Sequence, residues 1–220
     1  MRPRLLAVEC LLLFGLVPLG LLWLQLQGRL IFFPILIGLF LIALVLGLRD
    51  PEVRHRFPPP AEGYPRALAG ILLRATAAAL ALTALTLAFT PHLFLRFPRE
   101  NLPLWALVML LYHLLSVAPQ AYLFRVFFLQ RYPRLFGQGW PLLLANAFLF
   151  GWAHIFMLNA TAPLLSLVAG LLLARAWQRH PHFWLSWLEH ALYGQIVFTV
   201  GLGWYFYNGS AQALRVIAEP

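Results

Sequence analysis

Long apolar runs separated by short polar stretches extend over nearly the whole sequence. A helix needs about twenty apolar residues to cross the ~30 Å hydrocarbon core of a bilayer. Runs of roughly this length occupy residues 5–24, 30–48, 68–89, 102–128, 140–158, 162–177 and 183–206. Helices are expected because backbone polar groups in lipid must be bonded within their own segment. The pattern therefore predicts an all-α polytopic membrane bundle of about seven transmembrane helices, forming one integral membrane domain over residues 1–220.

Composition agrees with a membrane protein and narrows its class. Apolar residues make up 62% of the 220 positions and charged residues only 10%, whereas soluble domains carry about 25% charged residues. The net charge of +9 comes from arginine alone. These arginines are scattered singly among apolar runs, so we do not expect nucleic-acid binding. The single cysteine, Cys10, excludes an intrachain disulfide.

The arginines also predict the orientation of the spans. If the N-terminus lies inside, ten arginines fall in inner segments and four in outer segments. Cytoplasmic segments carry the excess of basic residues in membrane proteins. We therefore expect a cytoplasmic N-terminus.

Three polar side chains stand at membrane depth in three different spans: Arg125, His154 and His190. An arginine near the bilayer centre costs at least ~2.5 kcal/mol unless it finds a partner, and such residues usually mark a functional site. We therefore predict that the three side chains meet around one pocket inside the bundle.

The residues just before Arg125 determine how its charge can be neutralised. Ala121 lies four positions earlier and shares its face on a regular α-helix, whereas Gln120 points roughly 140° away. Alanine cannot pair with a guanidinium. The expected partners of Arg125 are therefore Glu189, Glu9, backbone carbonyls or water.

Two other polar residues inside the spans have simpler interpretations. Glu9 is expected near the interface, or else as a partner of Arg74 or Arg125. The lone His113 is expected to hydrogen-bond a neighbouring helix.

These segments resemble the motifs of the CPBP family, the group of CAAX prenyl endopeptidases, bacteriocin-processing proteins and other intramembrane glutamic proteases. The family pattern is Glu-Glu-x-x-x-Arg, then Phe-x-x-x-His, then His-x-x-x-Asn or Asp, on successive spans. Phe150 and His154 match the second motif. The first motif keeps Arg125, with Gln120 and Ala121 where the glutamates belong.

The third motif is matched at His190, but Gly194 stands at its Asn or Asp position and Gln195 follows. The resemblance extends over about residues 116–209, within a core motif region of residues 102–209. The local sequence resembles a bacterial subgroup that reads Pro-Gln-Glu in the first motif, in which only Ala121 departs from the pattern. That subgroup implies a bacterial inner membrane location and processing of C-terminal membrane-anchor tails, as in myxosortase-like proteins.

The resemblance implies hydrolysis by a water that a glutamate and a histidine activate inside the membrane. His154 would hold this water, while His190 and Gln195 would donate hydrogen bonds to the oxyanion. Arg125 would fix the carboxylate, and Ala121 stands where that carboxylate belongs. The expected catalytic positions are Ala121, Arg125, His154 and His190, and the expected substrate or oxyanion positions are Gln120, Phe150, Glu189 and Gln195. The chain is thus expected to be an intramembrane glutamic endopeptidase that is inactive as written.

Alternatives remain open at this stage. Ala121 is either an introduced substitution or part of a natural pseudoprotease, a non-catalytic membrane protein for peptide binding or immunity. Glu189 is disfavoured as a replacement base because it points ~100° away from its neighbour His190. Zinc usually takes three protein ligands, and the two histidines with Glu189 make a poor set, so we expect no metal or cofactor. The expected partners are the bilayer and a membrane-anchored protein or peptide; the oligomeric state is left open.

Overall fold

The computed structural model describes residues 3–54 and 63–207, which form a bundle of helices with no strand among them. Its long helices are α1 (Pro3–Leu26), α2 (Phe32–Leu48), α3 (Tyr64–Phe89), α4 (Leu102–Arg131), α5 (Trp140–Trp152), α6 (Thr161–Arg179) and α7 (Phe183–Val200). Short helices at Pro51–Arg54, Arg96–Glu100 and Pro133–Phe136 and 3₁₀ turns at Pro91–Leu93, Ile155–Met157 and Leu202–Phe206 connect them. The predicted all-α polytopic bundle is confirmed.

Each predicted apolar run forms a helix, but the helices differ in their fitness to cross a membrane. Among the described residues, five segments are long and apolar enough: α1, α3, α4, α6 and α5 with its 3₁₀ extension, Trp140–Met157. Helix α2 is apolar but has only 17 residues. Helix α7 has 18 residues and is not among these five segments. The last two residues of the predicted core motif region, 208 and 209, lie outside the described part.

Helix α4 is not a regular α-helix around its polar residues. Its stretches His113–Val117 and Tyr122–Phe127 are π-helical, with hydrogen bonds that reach five residues back, as from the Ala118 N–H to the His113 carbonyl. Pro119 lies between the two stretches and has no N–H to donate. The wider turns alter which side chains share a face, because residues five apart come into line.

Helices α5 and α6 pack closely through two glycines. A Cβ on Gly170 would lie 3.1 Å from Cα of Ala147 and from Cβ of Phe150. A Cβ on Gly151 would lie 2.8 Å from the carbonyl oxygen of Pro163. Because these glycines have no side chains, α5 and α6 can approach each other closely, and this contact positions the residues of α5 that face α7.

An ion-pair cluster joins α1, the end of α2 and the end of α4. Arg131 donates to both carboxylate oxygens of Glu9, at 2.6 and 2.8 Å, and to Asp50 at 2.7 Å. The Tyr132 hydroxyl donates to Glu9 at 2.9 Å, and burial, followed by the Glu9 charge, raises the pKa of Tyr132. Glu9 therefore pairs with Arg131 at the end of α4, and not with Arg74 or Arg125, the partners considered as the alternative to a position near the interface.

Candidate intramembrane site

The aromatic ring of Phe150 is the meeting point of the three polar residues expected from the sequence. The Arg125 guanidinium carbon lies 5.0 Å from its centroid, and the ring centroids of His154 and His190 lie 5.1 and 5.4 Å from it. Phe150 itself is 2% exposed. Side chains from α4, α5 and α7 thus converge at one place, as the sequence predicted.

A cavity of about 430 Å³ lies beside this cluster, between α4, α5, α6 and α7. We call it the bundle cavity. Its polar lining residues are Tyr112, Ser116, Gln120, His154, Ser166, His190, Tyr193 and Tyr207. Most of its remaining wall is apolar and includes Leu107, Leu111 and Leu115, which follow one another along an exposed face of α4. The wall of the cavity is therefore continuous with a helix face that meets lipid when the bundle is in a membrane.

A second, smaller cavity of about 50 Å³ adjoins the same residues. Gln120 and His154 line both cavities. A volume of this size exceeds the roughly 10–15 Å³ that one water needs, and polar neighbours are the condition for holding one. Gln120 and His154 are therefore the polar groups that this cavity offers to a water.

Positions 120 and 121 differ in what they face. Gln120 lines the bundle cavity, and its amide donates to the Ser116 hydroxyl at 2.8 Å. Ala121 is 1% exposed and is not among the lining residues of either cavity. The π-helical turn after Ala121 explains the difference from the regular-helix expectation, since it brings Gln120 toward the face of Arg125.

Arg125 finds its hydrogen-bond partners on the neighbouring helix and on its own backbone. Its Nη1 donates to Oδ1 of Asn146 and, at 3.5 Å, to the carbonyl of Phe124. Asn146 is fully buried and donates in turn to the Phe124 carbonyl at 2.7 Å. Asn146 was not predicted as a site residue from the sequence, although an amide in an apolar span, one helical turn before Phe150, is a usable signal.

Glu189 is engaged away from the bundle cavity. It accepts hydrogen bonds from Nε and Nη2 of Arg74, at 2.6 and 3.1 Å, and from the Tyr193 hydroxyl at 2.7 Å. The carboxylate is 1% exposed and does not line the cavity. Its ion-pair partner is thus Arg74 on α3. Of the partners considered for Arg125 from the sequence, the structure shows a backbone carbonyl, that of Phe124, and no ion pair with Glu189.

The same holds for every carboxylate in residues 3–54 and 63–207. Each of them forms an ion pair with an arginine, and none lines the bundle cavity. These carboxylates are Glu9, Asp50, Glu52, Glu100 and Glu189. No group of three His, Cys, Asp or Glu side chains in these ranges is arranged to hold a metal ion. The polar chemistry of the cavity is therefore that of amide, hydroxyl and imidazole groups.

The two histidines differ in their hydrogen bonds. Nδ1 of His154 lies 2.8 Å from the Phe150 carbonyl oxygen. A carbonyl only accepts, so Nδ1 carries the proton and Nε2 of the neutral ring is left as an acceptor. His190 is 7% exposed, lines the cavity and makes no hydrogen bond with the described part of the chain. One imidazole is thus oriented as an acceptor, and the other is free to bind a ligand.

Gln195 lies in a contact between α7 and α4. Its amide donates to Nε2 of His113 at 2.8 Å, and the indole of Trp187 donates to the His113 carbonyl at 3.0 Å. The expected interhelical hydrogen bond of His113 is confirmed. Gln195 is not among the cavity-lining residues, so the structure does not bring it to the cluster around Phe150.

Comparison with known proteins locates the similarity in the second half of the chain. The family model described as Rce1-like, the type II CAAX prenyl endopeptidases, matches residues 102–196. This segment runs from the start of α4 into α7 and contains the whole cluster around Phe150. This half of the chain is therefore similar to the Rce1-like type II CAAX prenyl endopeptidases. Neither the curated proteins nor the solved structures contain a match to the chain.

Proposed function

We propose that this chain is a membrane endopeptidase of the Rce1-like, glutamic type whose bundle cavity receives a membrane-anchored protein or peptide tail. The observation that carries the proposal is the convergence of Arg125, His154 and His190 around Phe150, beside a cavity with a largely apolar wall. Because this wall continues into an exposed apolar face of α4, an apolar tail can enter sideways without leaving lipid.

The arrangement suits hydrolysis of a peptide bond by water. A carboxylate at position 120 and Nε2 of His154 would hold the water, and the carboxylate would take its proton. The resulting hydroxide attacks the carbonyl carbon, the amide nitrogen leaves with a proton, and two chain ends are released. An N–H of His190 would donate to the oxyanion, an interaction worth ~2.7–4 kcal/mol in transition-state stabilisation.

The chain as written lacks the group that would accept the proton. Gln120 carries a neutral amide at the cavity, and none of the described carboxylates lines it. Loss of a general base typically costs a factor of ~10²–10⁴ in rate. We therefore propose that the protein binds tails and hydrolyses them very slowly or not at all. Position 121 would hold a carboxylate that pairs with Arg125, a role that Asn146 fills here.

The membrane and the substrate class are part of the same proposal. The excess of arginine in the predicted inner segments supports a cytoplasmic N-terminus, and the resemblance to a bacterial subgroup supports a bacterial inner membrane. The sequence resemblance to a tail-processing subgroup supports C-terminal anchor tails as substrates.

The test restores both acidic positions. The variant Gln120→Glu/Ala121→Glu, in liposomes with a panel of tail-anchored peptides, is expected to cleave at least ~100-fold faster than the parent chain. Adding His154→Ala should abolish this activity while the variant still binds the tail. A restored variant that neither binds nor cleaves any tail would contradict the proposal.

A second candidate is a non-catalytic peptide-binding or immunity protein. It is favoured by the absence of a carboxylate among the described residues that line the cavity. It predicts equal tail affinity in the parent and in the restored variant, with turnover in neither.

A further inference from the structure

Gly194 on α7 leaves room for a side chain from another helix. A Cβ at this position would collide with the phenol ring and the hydroxyl oxygen of Tyr112 on α4. The Tyr112 phenol therefore occupies the volume that any side chain at position 194 would need. Both residues line the bundle cavity.

The Tyr112 hydroxyl is available for a ligand. It makes no hydrogen bond with residues 3–54 or 63–207, whereas its ring packs edge-on against Phe198 at 5.3 Å. Gly194 follows His190 by one helical turn, and residues so spaced on a helix have Cβ positions about 5–6 Å apart. The phenol of Tyr112, which lies against Gly194, and the imidazole of His190 consequently face the cavity side by side.

Contacts next to Tyr112 hold it in this place. His113, the following residue, accepts from Gln195 through its ring and from Trp187 through its carbonyl. Both donors belong to α7, so α4 and α7 are joined on either side of Gly194. A donor held by such contacts loses little freedom when it binds a ligand.

We propose that Tyr112 donates a hydrogen bond to the carbonyl oxygen of the bound peptide and, together with His190, forms the oxyanion site. This assignment rests on the proposed function. The family pattern has Asn or Asp at the position of Gly194, and Tyr112 supplies the donor from the facing helix instead. A phenol donates more strongly to an oxyanion than to a neutral carbonyl, because hydrogen bonds to charged acceptors are about twice as strong.

The test compares two probes, a tail peptide and its phosphinate isostere, whose tetrahedral anionic group imitates the oxyanion. The parent chain should bind the phosphinate more tightly than the peptide. Tyr112→Phe should weaken phosphinate binding ~10- to 150-fold, the range for a hydrogen bond to a charged group, and leave peptide binding within about threefold. Tyr193→Phe is the matched control, because its hydroxyl is bonded to Glu189, and it should keep the preference.

A transfer of the donor provides a second variant. Tyr112→Leu/Gly194→Asn removes the phenol and places an amide at position 194, so it should recover most of the phosphinate preference. Three results would overturn the assignment and leave the proposed function standing. They are equal binding of the two probes by the parent, an unchanged phosphinate preference in Tyr112→Phe, and an equal loss of affinity for both probes in Tyr112→Phe. A parent chain that binds neither probe would contradict the proposed function and the Tyr112 assignment with it.

Discussion

Arg125 donates a hydrogen bond to the side-chain carbonyl of Asn146 and thereby joins α4 to α5 in the interior of the bundle. Arg125 is 1% exposed and Asn146 is fully buried. The ring of Phe150 lies against the same guanidinium. A neutral amide and an aromatic face thus stabilise a buried cation that a carboxylate would otherwise be expected to neutralise.

Removal of this amide should destabilise the protein. Asn146→Leu keeps the side-chain size but leaves the guanidinium without its acceptor, which costs ~1.5–3 kcal/mol for a hydrogen bond to a charged group. The measurement is the melting temperature in detergent micelles. Asn146→Asp, the matched control, retains the acceptor and should not lower that temperature.

A second-site change tests the same contact from the other side. Ala121→Glu places a carboxylate four residues before Arg125 and should recover stability in the Asn146→Leu background. If Asn146→Leu melts at the parent temperature, the Arg125–Asn146 hydrogen bond contributes nothing to stability.

Breaking the ion pair between Arg74 and Glu189 should destabilise the protein strongly. Glu189 is 1% exposed, so Arg74→Gln leaves a buried carboxylate without its cation, a change that costs ~3–5 kcal/mol. Chemical unfolding in mixed micelles measures the loss. Arg96→Gln breaks an exposed pair with Glu100 and should cost at most ~1 kcal/mol; similar losses in both variants would argue against the buried pair.

Close packing at Gly170 predicts that a larger side chain at this position lowers the stability of the protein. Gly170→Ala would press a methyl group against Ala147 and Phe150, at 3.1 Å from each, and overpacking of this kind costs ~1–3 kcal/mol. In α2, a Cβ on Gly38 would meet nothing within 4 Å. Gly38→Ala should therefore leave the melting temperature unchanged or raise it, because alanine is the better helix former. A tolerated Gly170→Ala would contradict the close approach of α5 and α6.

Stability should depend on pH through His182, in the turn between α6 and α7. His182 is 2% exposed, and burial lowers its pKa. The folded state therefore prefers the neutral ring, whereas the unfolded chain takes up a proton near its ordinary pKa of about 6.5. Stability is full above that value and is lost as the pH falls below it, toward the lowered pKa.

The measurement for His182 is the melting temperature at pH 8 and at pH 5.5. The parent chain should lose more on acidification than His182→Phe, which has a ring of similar size and no proton to bind. Equal losses in the two proteins would show that His182 does not contribute to the pH dependence.

The sequence predicted the bundle and the three residues that meet around Phe150, because charge or polarity in a membrane is costly and therefore conspicuous. It did not identify Asn146, because a neutral amide in an apolar run is a weaker signal than an ionisable group. It also assigned Gln120 to the face opposite Arg125. That expectation assumed 100° per residue, which the π-helical turns of α4 do not obey.

Side-chain pairs between distant helices were also beyond the sequence. Glu9 and Glu189 each had several arginines as possible partners, and only the packing of α1 against α4 and of α3 against α7 selects Arg131 and Arg74. Gln195 follows Gly194, the Asn or Asp position of the family pattern, by one residue. One residue corresponds to about 100° of rotation around a helix, and Gln195 contacts His113 instead of lining the cavity.

Position 120 lines both cavities together with His154, whereas position 121 lines neither. The most direct measurement compares cleavage of one tail-anchored peptide by two single variants, Gln120→Glu and Ala121→Glu, in the same liposomes. We expect turnover with Gln120→Glu that disappears when His154→Ala is added, and no turnover with Ala121→Glu alone. Turnover with Ala121→Glu and none with Gln120→Glu would contradict it.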